Sequence, residues 1–448
     1  MNEVTVDFGK KAGAIKPLNG VCCAPYASNK GDKQPTIKTM FPEAHIPYCR
    51  LHDCCGTYGG SRFVDIPNVF RDFNADENDP ASYDFHYTDE YITAIQESGC
   101  EAYYRLGVTI EWGSKKYAAV PPPDFEKWAR ICEHIIRHYN EGWANGFHYN
   151  LKYWEIWNEP ENPGNEYGPS MWTGTEQEFF DLYRVASKHL KKAFPDLSIG
   201  GYGGCGFYAV TAKKFSKTKQ GFLDYFLRFL DMVKQNDCPL DFYSWHIYSD
   251  DPDTVITHAK FVRETLDARG FTATESHLNE WNFNAEGTGF ADKHTMVGGS
   301  FLSDTLCLLQ QSGLVDKAMY YCFSTQGLYN GFLDQNDRHI SPSWYPFAAF
   351  GKLYGLKNAA KIVKNEGELR AAAATDGEKC ALLLSHYRGE ESITAVELCG
   401  LGAGAKRVTA RCCTEEKHLD PLFSFTISGQ TAITLDIPCR TVVLLEIE

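Results

Sequence analysis

Eight short runs of apolar and β-branched residues recur along the first three quarters of the chain, with helix-patterned segments between several of them. The runs fall at 18–24 (LNGVCCA), 46–53 (IPYCRLHD), 100–107 (CEAYYRLG), 151–158 (LKYWEIWN), 197–203 (LSIGGYG), 240–248 (LDFYSWHIY), 275–281 (ESHLNEW) and 317–323 (KAMYYCF). Helical patterns occupy 124–140, 175–194, 221–236, 254–269 and 295–313. In DFEKWARICEHIIRHY the apolar residues Phe125, Trp128, Ile131, Ile135 and Ile136 form one stripe, and Asp124 stands where an N-cap belongs. Strands alternating with helices imply an α/β fold with a parallel sheet. Eight such units predict a (β/α)8 TIM barrel, although eight strands can also be wound as an open sheet.

The texture changes after about residue 355. ELRAAAAT, KCALLLSHY, SITAVEL, KRVTARCC, LFSFTIS, TAITLDI and TVVLLEI are short strand-like segments separated by turns such as Asp376-Gly377-Glu378 and Ser428-Gly429. That spacing predicts a C-terminal antiparallel β-sandwich domain. Val4-Thr5-Val6-Asp7-Phe8 alternates like one more strand of that kind. The expected organisation is therefore an N-terminal strand (1–16) pairing with the sandwich, a catalytic barrel (17–355) and a β-sandwich accessory domain (356–448).

With 448 residues, 43% hydrophobic and 23% charged, the chain is long enough for a large core. Its net charge of −14, with no basic stripe, argues against nucleic-acid and anionic-membrane partners. No apolar stretch reaches the roughly 20 residues that cross a bilayer. The opening MNEVTVDFGKK lacks the basic and apolar regions of a secretory leader, so a cytoplasmic setting is expected. The 16 cysteines form no CxxC ladder and read as reduced core thiols. His52-Asp53-Cys54-Cys55 is a poor metal site, because adjacent strand residues point to opposite faces. Gly201-Tyr202-Gly203-Gly204-Cys205-Gly206 satisfies GxGxxG, but it follows the fifth strand instead of the first. It reads as a tight barrel rim and not a dinucleotide site. No cofactor and no metal are expected.

In a parallel barrel, reactive groups gather at the C-terminal strand ends. The fourth run ends in Asn158-Glu159-Pro160 and the seventh in Asn279-Glu280-Trp281-Asn282. A barrel brings both ends to one mouth. Two carboxylates opposed across a cleft are what glycosidic bond cleavage requires, one protonated and one ionised. Glu155 shares parity with Glu159 and is expected to point inward as part of a structural ion pair. Glu275 is expected at the buried start of its strand.

Trp154-Glu155-Ile156-Trp157-Asn158-Glu159-Pro160 resembles the acid/base segment of clan A glycoside hydrolases, and it is closest to family 39, the β-xylosidase and α-L-iduronidase family. Arg50-Leu51-His52 resembles the Arg-x-His of that family's second strand. Asp241 to Tyr248 resembles its sixth-strand His-x-Tyr, Leu278 to Asn282 its nucleophile strand, and Asn330-Gly331-Phe332-Leu333 the segment after strand eight. The resemblance runs from about residue 17 to 360. It implies a retaining exo-glycosidase with Glu159 as acid/base and Glu280 as nucleophile. It further implies that Asn158 binds the sugar 2-hydroxyl, that Arg50 and Tyr248 hold Glu280 ionised, and that His52 and His246 line the sugar subsite.

Tyr321 stands where xylosidase-like relatives tend to place a Trp, and Glu280-Trp281-Asn282 is similar to the arabinofuranosidases of family 51. Trp281 and Tyr321 are thus candidates for contact with the sugar. Trp112, Trp172, Trp344 and Tyr329 are further candidate stacking platforms. The expected substrate is an oligosaccharide or glycoside of β-xyloside, β-glucoside, β-galactoside or α-L-arabinoside type. The alternative is a catalytically silent carbohydrate-binding barrel, and homo-oligomerisation is compatible with either.

Overall fold

In the computed structural model, residues 1–24, 37–54, 62–111, 115–164, 170–323, 331–333 and 339–448 are described. Cys55, Trp112, Ser324, Tyr329 and Asn330 lie outside these residues. Strand β1 (Asn2–Ala14) opens the chain and belongs to the second sheet. The barrel strands are β2 (Gly20–Cys22), β3 (Tyr48–Arg50), β4 (Glu101–Leu106), β5 (Tyr153–Ile156), β6 (Ser198–Gly204), β7 (Phe242–Ser249), β8 (Glu275–Phe283) and β9 (Lys317–Tyr320). They close in sequence order, each parallel to the next, and β2 pairs back onto β9 through Val21 and Tyr320. All eight runs are strands, and the barrel is closed, not open.

Alternation along the strands sorts the side chains. Tyr103, Tyr153, Phe242 and Met319 turn into the bore and form one apolar cluster, with Tyr103 stacked on Tyr153 and Phe242 on His277. This plug floors the barrel, so polar inward residues sit above it toward the C-terminal strand ends. The outward set, including Tyr104, Trp154, Ile156, Tyr243, Trp245 and Leu278, packs under the helices.

The five expected helices form at Phe125–Glu141, Glu176–Ala193, Lys217–Gln235, Pro252–Ala268 and Met296–Ser312. The Asp124 side chain accepts from Lys127 N at 2.8 Å, a cap worth about 1 kcal/mol. Thr175 and Glu178 close a reciprocal capping box on the next helix. Helices at Ile37–Glu43, His86–Glu97 and Trp344–Gly355 were not expected. WYPFAAFGKLYG carries almost no polar residue, so it shows no amphipathic period. It is buried on nearly every side, between the barrel and the second sheet.

The remaining strands are β10 (Asn358–Glu366), β11 (Arg370–Thr375), β12 (Cys380–His386), β13 (Ile393–Cys399), β14 (Ala405–Cys413), β15 (His418–Ser428), β16 (Thr431–Asp436) and β17 (Thr441–Ile447). With β1 they make one nine-stranded sheet in the order β15-β14-β17-β12-β11-β10-β1-β13-β16. Strand β1 pairs antiparallel with β10 and parallel with β13. Ile427 of β15 and Leu435 of β16, from opposite edges, share one apolar cluster with Val4, Val6, Leu382, Leu398 and Leu445. The sheet therefore curls over itself into two layers. Ala372, Ala374, Leu383, Val442 and Leu444 point the other way and join the barrel's outer core. Strands β12 and β17 are buried on both faces, which is why CALLLSH and TVVLLEI are apolar without alternation.

Candidate active site

Asn158 and Glu159 follow β5 in a loop whose backbone leaves ordinary strand geometry at once. Trp157 and Glu159 have φ of 70° and 46°, in the left-handed region. Such positions persist where surrounding contacts over-determine them. The Trp157 indole donates to Met171 O and packs edge-on to Trp172, while Glu159 N donates to Gly203 O at 3.0 Å. The strand thus ends in a clamp that fixes where the Glu159 carboxylate lies.

Glu280 enters from β8. His246 is its register partner on β7, and both side chains face the bore. His246 Nδ1 lies 2.8 Å from Glu159 Oε1 and 3.4 Å from Glu280 Oε2. The facing oxygens of the two carboxylates lie within 4.8 Å of each other. Tyr248 donates its phenol proton to Glu280 Oε1. Arg50, fully buried at the end of β3, spreads its guanidinium over Glu155 Oε2 (2.7 Å), Glu280 Oε2 (3.1 Å) and Asn158 Oδ1 (2.6 Å). Glu155 also accepts from Ser244 and Asn279, both at 2.6 Å, so it is the buried ion-pair partner of Arg50.

Glu159, His246 and Glu280 are spaced closely enough to surround a cation. His246 Nδ1 is already hydrogen-bonded to Glu159, however, and Arg50 and Tyr248 occupy the two Glu280 oxygens that such an ion would need. The arrangement is a hydrogen-bonded network and not an open ligand set.

The protonation order differs from the expectation. Burial raises Glu159, but the hydrogen bond and charge of His246 outweigh it and hold this carboxyl below the usual range. Burial pushes Glu280 up, and the Glu159 charge adds to this, against the pull of His246, Arg50 and Tyr248. Arg50 and Tyr248 do contact Glu280 as expected, yet in the free protein they do not make it the more acidic member. The two charges repel, so the protonation of either carboxylate depends on the other. A proton on Glu159 would relieve that repulsion and favour Glu280 as an anion under Arg50 and Tyr248.

His52 and Tyr321 lie beside the pair. His52 is fully buried with neither ring nitrogen hydrogen-bonded, and burial together with Arg50 and Arg105 pushes it far toward the neutral form. Tyr321 donates to Asp53 Oδ2 at 2.9 Å. Asn158 Nδ2 and His246 Nε2 are also buried without partners. Unpaired buried donors and acceptors are rare, and these gather at the mouth where a polyhydroxylated ligand could satisfy them.

The glycine run is a rim. A Cβ on Gly203, whose φ is +64°, would lie 3.1–3.2 Å from Arg50 Nη2, Asn158 Oδ1 and His246 Nε2. Gly206 passes as closely over His246 O. Glycine lets the end of β6 press against the polar cluster.

Trp281 is not where the sequence suggested. It follows the inward Glu280 by one residue and so turns outward, packing on Phe301 and Tyr320 beneath a helix. Trp172 and Trp344 are likewise core residues. Glu275 begins β8 but is half-exposed, not buried, and bonds His277 and Lys317 at 2.8 Å each. Sequence reasoning also passed over Glu161, which accepts from Cys205 N at 2.6 Å. Its position two residues from Glu159 was the available signal.

A closed parallel barrel whose fourth and seventh strands carry facing carboxylates, one of them under an arginine and a tyrosine, has the architecture of a two-carboxylate glycosidase. The profile of glycosyl hydrolases family 39 matches residues 2–270, more than half of the chain, and the protein belongs to that family. A β-xylosidase of Caldicellulosiruptor saccharolyticus is 26% identical over 263 residues, covering 56% of this chain and 46% of that protein. The chain thus aligns with about half the length of that relative. A β-xylosidase of Geobacillus stearothermophilus is 22% identical over 382 residues, 76% of this chain and 69% of that one. Among solved structures, a glucosidase from Croceicoccus marinus superposes with a TM-score of 0.81 at 23% identity, covering 100% of this chain and 99% of that one. A monomeric β-xylosidase from Caulobacter crescentus gives 0.73 at 17% identity, with coverages of 100% and 99%. No helix among the described residues is long and apolar enough to cross a membrane.

Proposed function

We propose that the protein is a retaining exo-glycosidase that cleaves an equatorial glycosidic bond of β-xyloside, β-glucoside, β-galactoside or α-L-arabinoside type by double displacement. The observation that carries this reading is the separation of Glu159 and Glu280, whose facing oxygens lie within 4.8 Å. Retaining pairs stand about 5–5.5 Å apart and inverting pairs about 6.5–9.5 Å, so this short approach favours direct attack by Glu280. Membership of family 39 supports the reaction class.

In the first step Glu280 attacks the anomeric carbon while Glu159 gives its proton to the departing oxygen, and the glycosyl group becomes an ester of Glu280. In the second step Glu159 takes a proton from water as that water displaces Glu280 and regenerates the free sugar. The reaction needs the proton on Glu159, the reverse of the order of acidity in the free protein. Arg50 and Tyr248 then stabilise the Glu280 anion that remains. Asn158, its oxygen held by Arg50 and its amide donors free, is placed to bind the hydroxyl beside the anomeric carbon. His52, His246 and Tyr321 complete the sugar pocket, and Trp281 supports β8 from behind.

Aryl glycosides of the four types, with product stereochemistry followed by NMR, test the reading. Retention at the anomeric centre and release of single sugars from an oligosaccharide are expected. Glu280→Ala should abolish turnover, and azide should restore it with inverted product. Inversion by the wild-type protein, or no hydrolysis of any of the four, would overturn the proposal.

A further inference from the structure

The loop after β5 carries a second acid, Glu161, which the double displacement does not use. While Glu159 faces the bore, Glu161 reaches over the end of β6 toward the outer wall of the barrel. Its Oε1 accepts from Cys205 N at 2.6 Å, and its Oε2 is buried without a partner. A Cβ built on Gly204 would lie 3.3 Å from Glu161 Oε1 and 2.7 Å from the Tyr243 hydroxyl, so only a glycine leaves room for both. The hydroxyls of Tyr202, Tyr225 and Tyr243 are buried there, also without hydrogen-bond partners. Their rings pack against one another under the helix Lys217–Gln235.

We propose that Glu161 is a positioning residue for the acid/base carboxylate: its side chain pins the loop bearing Glu159 onto the end of β6. This rests on the role given to Glu159 above. The loop touches β6 at two places. Glu159 N donates to Tyr202 O and Gly203 O, and Glu161 Oε1 takes the Cys205 amide proton. Between them lies Glu159 itself, with φ of 46° and a proline next in the chain. The second contact extends the hold on this end of the barrel past Pro160, beyond the bonds that Glu159 makes itself.

The clamp works as a neutral acid. The groups facing Glu161 are Glu159 on its own loop, Tyr202 from β6, Cys205 just past that strand, Tyr243 from β7 and Tyr225 from the helix, none of them a cation. Burial, reinforced by the Glu159 charge, pushes its carboxyl up to about 8. At neutral pH it therefore adds no charge beside Glu159.

Two variants test the clamp, using the full chain. Glu161→Gln keeps the acceptor and neutrality. It should retain kcat/KM within about 3-fold and leave the alkaline limb of the pH profile in place. Glu161→Ala removes the acceptor. It should lower kcat/KM about 100-fold for a phenyl glycoside but less than about 5-fold for a nitrophenyl one, because only the poorer leaving group needs a well-placed proton. The Cys205 amide should be protected from hydrogen exchange in wild type and Glu161→Gln and exposed in Glu161→Ala. A carboxyl carbon resonance titrating near pH 8 should vanish in Glu161→Gln.

Equal losses on both substrates in Glu161→Ala, or none, would overturn the proposal. So would a downward shift of the alkaline limb by about one pH unit in Glu161→Gln, since that would reveal a charged Glu161. If wild type hydrolyses no glycoside, the assignment of Glu159 fails, while amide exchange and the carboxyl titration still decide the clamp. Should Glu161→Ala not fold, Glu161→Asp, which draws the acceptor back by one methylene, should show the same leaving-group split and an exposed Cys205 amide, and wild-type behaviour in it would overturn the proposal.

Discussion

Arg50→Met is the perturbation that the buried network makes most informative. The guanidinium is fully buried and bonds Glu155, Glu280 and Asn158 at 2.6–3.1 Å. Methionine keeps much of the aliphatic volume but strands two buried carboxylates. Breaking a buried ion pair by removing one partner costs about 3–5 kcal/mol. Glu155 keeps donors from Ser244 and Asn279, and Glu280 keeps Tyr248, so the lower end, about 3 kcal/mol, applies. Arg50→Lys restores a charge without the fork and should lose about 2 kcal/mol.

The paired variant Arg50→Met/Glu155→Met removes both charges. It should be more stable than Arg50→Met alone by about 1–2 kcal/mol, because an apolar pair avoids the stranded anion. Urea unfolding at pH 7, with free energies extrapolated to water, measures all three. Lowering the pH should narrow the gap between Arg50→Met and wild type, since Glu280, whose carboxyl burial already pushes up, is discharged by protonation. A loss under about 1 kcal/mol in Arg50→Met, or a double variant no more stable than Arg50→Met, would refute this account of Arg50.

Gly203→Ala should cost about 1–2 kcal/mol for its left-handed backbone and about 100-fold in kcat, because the new methyl crowds Arg50, Asn158 and His246; wild-type kcat in this variant would show that the rim has slack. Trp281→Leu should destabilise by about 2–4 kcal/mol while KM stays within about 2-fold, as expected of a core residue behind β8; a KM rise of about 10-fold would return Trp281 to the sugar. Asp304, buried between the helix Met296–Ser312 and β12, has its carboxyl pushed up to about 8 by burial, with Ser385 and Tyr387 beside it. The native state keeps a proton that the unfolded chain releases from about pH 4 upward, so this group lowers stability as pH rises toward 8. Asp304→Asn should therefore stabilise by about 5 kcal/mol at pH 8 and by little near pH 4, read by thermal unfolding at the two pH values.

Much of the architecture was legible because periodicity survives in sequence. The strand alternations and the helical stripe at Phe125–Ile136 are direct imprints of which face is buried. Trp344–Gly355 escaped because a helix buried all round has no polar face to reveal its period. The site was legible as two Asn-Glu strand ends, but parity misled at Trp281. Its neighbour Glu280 faces the bore, and one step along a strand reverses direction. Glu161 escaped for a related reason: once Glu159 turns into the left-handed region, no simple period says which wall the next acid meets.

The sequence by itself determined the elements, their order and the two carboxylates, because each depends on local pattern or on a residue's own chemistry. Tertiary structure decided what those groups are to each other. The approach of Glu159 and Glu280 to within 4.8 Å, the ring of His246 between them, the three-way grip of Arg50 and the burial of Glu161 against Cys205 all join residues far apart in the chain or in compartments the chain does not mark. Charges are set by distance and burial, and neither is a property of a sequence until the barrel has closed.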